Sequence, residues 1–248
     1  MCHFCDVTHP IDHMTRHKVI LSTSTLSGTQ YMEGWGWEDN EPHRIHVDME
    51  TIPGARISTL RKAWERAYAG NPLPIDTVMV AGLNDVIQLV KHYGNQHDME
   101  QIDELVSNDI MADITAFHST MVQHSQRYDV DDTLAVSLIL HVPMLYWHED
   151  DGELPTPDYI NYKSVVDRTN LKIEAFNIEH GSSKAPKYLH LAGERGLSRN
   201  RKIYMWQAWR EANKEDKLHL KDPHRIKIVK MLCKYFTTVT AKTYQHLY

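Results

Sequence analysis

The stretch Asp76-Thr-Val-Met-Val-Ala-Gly-Leu-Asn-Asp85 opens as a β-branched, apolar run and breaks at Gly82, after which Val86, Leu89 and Val90 recur at helical offsets. A short continuous apolar run marks a strand buried on both faces, and the glycine supplies the turn into a helix, so the segment reads as one strand–helix unit of a parallel sheet. The same rhythm precedes it twice. Lys18-Val-Ile-Leu-Ser-Thr23 is apolar and leads into the small-residue turn Ser24-Thr-Leu-Ser-Gly28. Arg44-Ile-His-Val-Asp-Met49 alternates, turns at Ile52-Pro-Gly-Ala55, and continues with Leu60, Trp64, Ala67 and Tyr68 at helical spacing. Downstream, Ile102, Leu105, Ile110, Ile114, Phe117 and Met121 share one side of a long helix over residues 99–126, with a kink expected near Ser107-Asn-Asp109. Residues 134–142 predict a fourth strand, residues 158–178 a helix, and Tyr188-Leu-His-Leu191 a fifth strand. Residues 222–236 predict a closing helix docked through Ile226, Val229, Met231 and Leu232. Strands alternating with helices place the chain in the α/β class, with a five-stranded parallel sheet.

The 248 residues suffice for a sizeable core, and 42% hydrophobic with 24% charged residues excludes wholesale disorder and collagen-like repeats. The longest apolar stretch, Leu134 to Trp147, is too short to cross a bilayer and is interrupted by Ser137, His141 and Pro143, so no membrane span is expected. No basic region followed by an apolar run opens the chain, and Cys2, Cys5 and Cys233 form no regular disulfide framework. A cytoplasmic or nuclear location is the expectation. Charge is uneven: residues 183–248 hold 15 Lys/Arg against 5 Asp/Glu, leaving 12 against 28 for residues 1–182. A basic tail third suits either a phosphate-rich partner or an acidic face of the same fold.

In an open parallel sheet, ligands bind beyond the carboxyl ends of the strands, which makes the polar residues just after each strand the informative ones. Those are Ser22-Thr-Ser24 after the first strand, Gly54 after the second, and Gly82-Leu-Asn84-Asp85 after the third, with Asp216-Lys-Leu-His219 before the closing helix. A hydroxyl, an imidazole, a carboxylate to orient it, and amide donors are the parts an acyl-transfer site needs.

These short blocks, in this order, resemble those of the SGNH or GDSL-type hydrolases. The family's GDS block looks like Val19-Ile-Leu-Ser-Thr-Ser24, with Ser24 at the nucleophile position and Ser22 and Thr23 in place of Gly and Asp. Its second-block glycine looks like Gly54, its GxND like Gly82-Leu-Asn-Asp85, and its DxxH like Asp216-Lys-Leu-His219. The likeness covers roughly residues 18–236. It implies a three-layer α/β/α sandwich of flavodoxin-like topology and hydrolysis of an acyl or acetyl ester without a catalytic cofactor. It also implies that Ser24 is the nucleophile, His219 its base and Asp216 the group that orients His219, with Ser24 N–H, Gly54 N–H and the Asn84 amide receiving the oxyanion.

Each residue also has a plain structural reading. Ser24 fits a helix N-cap, Asn84 and Asp85 fit caps of a helix beginning at Val86, and Gly54 fits the turn alone. His224 rivals His219 but lacks an aspartate three residues before it, and His141 reads as a core or rim histidine.

Residues 1–17 form a separate small Cys/His segment ahead of a domain spanning residues 18–248. Cys2-His-Phe-Cys5 followed by His13 and His17 supplies four ligands suited to tetrahedral zinc, with knuckle-like spacing. A knuckle beside such a domain, and the basic tail with Arg195, Arg199, Arg201, Lys202 and Arg210 interleaved with Tyr204, Trp206 and Trp209, point to a second class: a catalytically silent, RNA- or DNA-binding relative, of the kind mobile elements carry. The same aromatic residues also read as a core or lid segment.

Overall fold

The computed structural model describes residues 17–23, 47–72, 75–94, 97–127 and 157–180, together with Arg225, Ile226 and Val229. Three parallel strands are present: β1 (His17–Ser22), β2 (Val47–Thr51) and β3 (Ile75–Val80), in the order β2-β1-β3. Four helices follow the chain: α1 (Ile57–Tyr68), α2 (Leu83–Tyr93), α3 (Met99–Gln126) and α4 (Pro157–His180). The α/β class and the parallel sheet expected from the apolar periodicity are therefore present. The strands expected at 134–142 and 188–191 lie outside the described residues.

Parallel strands need a crossover connection, and α1 lies in the one that leads from β2, past β1, to β3. The register pairs Leu21 with both Glu50 and Met79, and Lys18 with both Val47 and Asp76. Side chains alternate between faces along a strand. One face carries Val19, Leu21, Ile75 and Met79, which join Leu60, Trp64, Val86, Leu89, Ile102, Ile110 and Phe117 in a single cluster. The other carries Ile20, Val78 and Val80, equally inaccessible to solvent. Burial on both faces is what unbroken apolar strands require, and it explains why β1 and β3 read as continuous runs while β2, half-buried throughout, alternates.

Trp64 anchors the helical layer. Its ring meets Phe117 edge-on at 6.0 Å and His124 at 5.4 Å, and its Nε1–H donates to Thr77 Oγ1 at 2.9 Å. A buried indole thus satisfies its one polar atom on the sheet. Lys18 and Asp76, paired in register on the opposite face, form a buried ion pair, which suits two charges that have lost their water.

Helix α3 runs unbroken for 28 residues, with no interruption at Ser107-Asn-Asp109. Asp98 caps it by accepting the Gln101 N–H at 2.9 Å; the Ser107 hydroxyl donates back to Glu104 O at 3.1 Å, while Asn108 accepts from Lys172 on α4 at 2.6 Å and Asp109 from the Tyr93 hydroxyl on α2 at 2.7 Å. Helix α4 packs along α3, with Asp103 meeting Ser164, and Glu104 meeting Arg168 and Lys172. Val229, helical as expected of the closing segment, is 1% exposed. Among the described residues, no helix is long and apolar enough to cross a membrane.

Candidate active site

The carboxyl ends of the three strands stand side by side, and main-chain bonds tie them beyond the last strand residues. Ile52 N–H donates to Ser22 O at 2.9 Å, and Thr23 N–H donates to Val80 O at 3.2 Å. Ser22, at the position where a glycine was expected from the family pattern, is simply the last residue of β1. Its hydroxyl lies 3.3 Å from Val80 O and 3.2 Å from Thr23 O, wholly buried. Extended backbone suits serine, so the missing glycine leaves the strand intact. Thr23 is buried as well. Ser24, the next residue, lies outside the described residues, as do Asp216 and His219.

The second and third strand ends each turn on a glycine. Gly54 has φ +75° and Gly82 φ +114°, values that side-chain-bearing residues rarely adopt. Gly82 is the N-cap of α2, which begins at Leu83 rather than Val86. That one-turn shift corrects the capping reading of Asn84 and Asp85: both lie inside the first turn, and neither caps its own helix. Their side chains reach across to the turn after β2 instead.

Asn84 Nδ2 donates to Ala55 O at 3.0 Å. An amide nitrogen carries two hydrogens, and only this one of them has an acceptor among the described residues. Ala55 N–H is used by Ile52 O at 3.2 Å, whereas Gly54 N–H has no backbone acceptor among the described residues. The structure thus brings Gly54 and Asn84 together at one edge of the sheet.

Asp85 is wholly buried and does for α1 what α1 cannot do for itself. The N-cap of α1, Arg56, makes no side-chain cap, and Asp85 accepts the Ile57 N–H with both carboxylate oxygens, at 3.2 and 3.3 Å. Arg56 Nε donates to Asp85 Oδ1 at 3.3 Å, with its Nη2 3.9 Å from Asp113. Burial pushes the Asp85 carboxyl up to about 6, against the opposing pull of the Ile57 N–H and Arg56, while Asp113 adds to the rise. Arg56 and Asp85 went unremarked as functional candidates in the sequence; the only signal was Asp85 closing the Gly82-Leu-Asn-Asp block. On the helical side, Arg56 also lines a polar pocket of about 460 Å³ with Gln88, His92, Tyr93 and Asp109.

For the zinc set, Cys2, Cys5 and His13 lie outside the described residues, and His17 opens β1. Among the described residues, no group of three or more His, Cys, Asp or Glu side chains is placed to hold a metal.

No family model and no curated protein matches the chain. Solved structures do. A lipase, Lip_vut3, from a goat rumen metagenome is 12% identical with a TM-score of 0.48, over 89% of this chain and 97% of its own. A GDSL-like lipase from Bacteroides thetaiotaomicron VPI-5482 is 11% identical with a TM-score of 0.42, over 91% of this chain and 89% of its own. The chain resembles GDSL-type hydrolases. An acetyl xylan esterase, AlAXEase, is also similar, at 16% identity and a TM-score of 0.37, over 88% of this chain and 98% of its own.

Proposed function

We propose that the chain is a serine esterase or deacetylase, built as a three-layer α/β/α sandwich on a five-stranded sheet of flavodoxin-like order. The strand order β2-β1-β3 is the beginning of that order, 2-1-3-4-5. The observation that carries the reading is the pair of amide donors at the strand ends: Asn84, held by one of its two N–H bonds to Ala55 O, beside Gly54 with its N–H uncommitted among the described residues. Preorganised donors of this kind, aimed where negative charge develops, are what an acyl-transfer site uses to stabilise its oxyanion.

Ser24 is the residue after Thr23 in the chain, and Thr23 follows the central strand, whose neighbours β2 and β3 lead to Gly54 and Gly82. In the reaction, Ser24 Oγ attacks the ester carbonyl carbon as His219 takes its proton, and the carbonyl electrons move onto oxygen. Ser24 N–H, Gly54 N–H and Asn84 Nδ2–H receive that oxyanion, while Asp216 holds the His219 ring in its working tautomer. Collapse expels the alcohol, protonated by His219, and water activated by the same imidazole hydrolyses the acyl-serine. No cofactor enters these steps.

A panel of short acyl esters tests the proposal. Ser24→Ala is expected to abolish turnover, and Asn84→Ala to lower kcat by about 10²–10³ through loss of one oxyanion donor. Hydrolysis that persists undiminished in Ser24→Ala, or none by the wild type across the panel, would overturn it.

A further inference from the structure

Three consecutive residues after Gly54 are each bound to one of two consecutive residues at the start of α2. Ala55 O accepts from Asn84 Nδ2 at 3.0 Å, Arg56 Nε donates to Asp85 at 3.3 Å, and Ile57 N–H donates to Asp85 at 3.2 Å. Resting on the oxyanion reading above, we propose that Asp85 is the positioning residue that holds the Gly54 turn in register with Asn84, so that both donors face one point.

The turn needs such a hold. A Cβ built on Gly54 would meet nothing within 4 Å among the described residues, so no side-chain packing holds the turn, and glycine, lacking that Cβ, reaches its left-handed φ without losing the other conformations open to it. Ala55 closes the turn through its N–H to Ile52 O, and the N-terminus of α1 at Ile57 is the next element that can hold it. That terminus has no cap of its own and no acidic residue in its first turn. Asp85 satisfies its first N–H from another element, and the buried carboxylate also fixes the Arg56 side chain, whose far end approaches Asp113 on α3. A Ser, Thr or Asn at position 56 would cap α1 locally. Only a carboxylate on α2 caps α1 and at the same time sets its distance from Asn84, the residue beside it in the chain. Asp85 touches no substrate in this scheme; it acts through the turn.

The Ala55 amide is the reporter, because it donates to Ile52 O and not to Asp85. In full-length Asp85→Asn, hydrogen exchange at Ala55 is expected to accelerate at least tenfold, with the amides of β1 and β3 unchanged. Arg56→Gln, which leaves the carboxylate in place, is expected to accelerate Ala55 at least threefold. On an active ester, Asp85→Asn is expected to lower kcat at least tenfold with KM within twofold. The double variant Asp85→Asn/Asn84→Ala should fall no more than about twofold below Asn84→Ala alone, since both changes disable one device. An Ala55 amide unmoved in both variants, exchange accelerated equally throughout the sheet, or additive losses in kcat would overturn the proposal. Accelerated Ala55 exchange in both variants, with a wild type that hydrolyses no ester, would uphold the clamp and defeat the esterase reading instead.

Discussion

Removing the negative charge of Asp85 should change the pH dependence of folding in a direction opposite to that of most native carboxylates. The side chain has no exposed surface, and burial raises its pKa from 3.8 to about 6, the Ile57 N–H and Arg56 opposing the rise and Asp113 assisting it. Below about pH 3 the group is protonated in both folded and unfolded chains and contributes no pH dependence. Between about pH 4 and 6 the folded chain keeps a proton that the unfolded chain has released, so stability falls as pH rises. Above about pH 6 the cost is constant, and a shift of about two units at 1.36 kcal/mol each makes it about 3 kcal/mol. In urea titrations of wild type and Asp85→Asn, the variant's unfolding free energy minus the wild type's is therefore expected to rise by about 2 kcal/mol from pH 4 to pH 7.5. Taking the difference cancels every group common to both chains, and any fixed effect of the amide's altered hydrogen bonds appears only as an offset. A flat difference would refute the reasoning, and a falling one would mean that Arg56 and the Ile57 N–H outweigh desolvation. A carboxylate kept ionised at such a cost to stability is the kind of residue a functional site retains.

Trp64→Ala, which empties the space between Phe117, His124 and the sheet and orphans Thr77, should destabilise the fold by about 3–5 kcal/mol in thermal or urea unfolding; a loss below about 1 kcal/mol would contradict the packing described. Purified protein is expected to carry zinc at near one equivalent by elemental analysis, and to lose it in Cys2→Ser/Cys5→Ser; zinc retained by that variant removes the proposed ligand set. If the basic tail third serves a nucleic acid, affinity for single-stranded RNA should fall steeply between 50 and 200 mM salt; undetectable or salt-insensitive binding counts against that alternative.

The parts of the fold that were legible share one property. The apolar runs at 18–23 and 76–81 and the helical spacing through Leu60, Trp64 and Tyr68 are local patterns, and burial on both faces of β1 and β3 is their direct consequence. Boundaries were harder. Among the described residues β2 runs on to Thr51, two residues past the expected end at Met49, because a half-buried strand tolerates polar residues such as Glu50 and Thr51 that look like the start of a loop. The interruption expected in α3 is absent, and its three polar residues are bonded instead: Ser107 to Glu104 O, Asn108 to Lys172 and Asp109 to Tyr93. At the site, Gly54 and Asn84 were legible as candidates just after strand ends, whereas Asp85 read only as a cap of its own helix and Arg56 carried no signal.

Sequence alone determined that strands and helices alternate, that the strands are buried, and that polar residues gather after them, since periodicity and turn chemistry are properties of neighbours along the chain. Tertiary structure decided what Asn84 and Asp85 do. Their partners, Ala55, Arg56 and Ile57, lie 28 or 29 residues away, and only the crossover through α1 and β3 brings those groups within hydrogen-bonding distance. An aspartate in the first turn of a helix has the same local signature whether it serves its own helix or the one beside it, so the choice rests with the packing of the sheet.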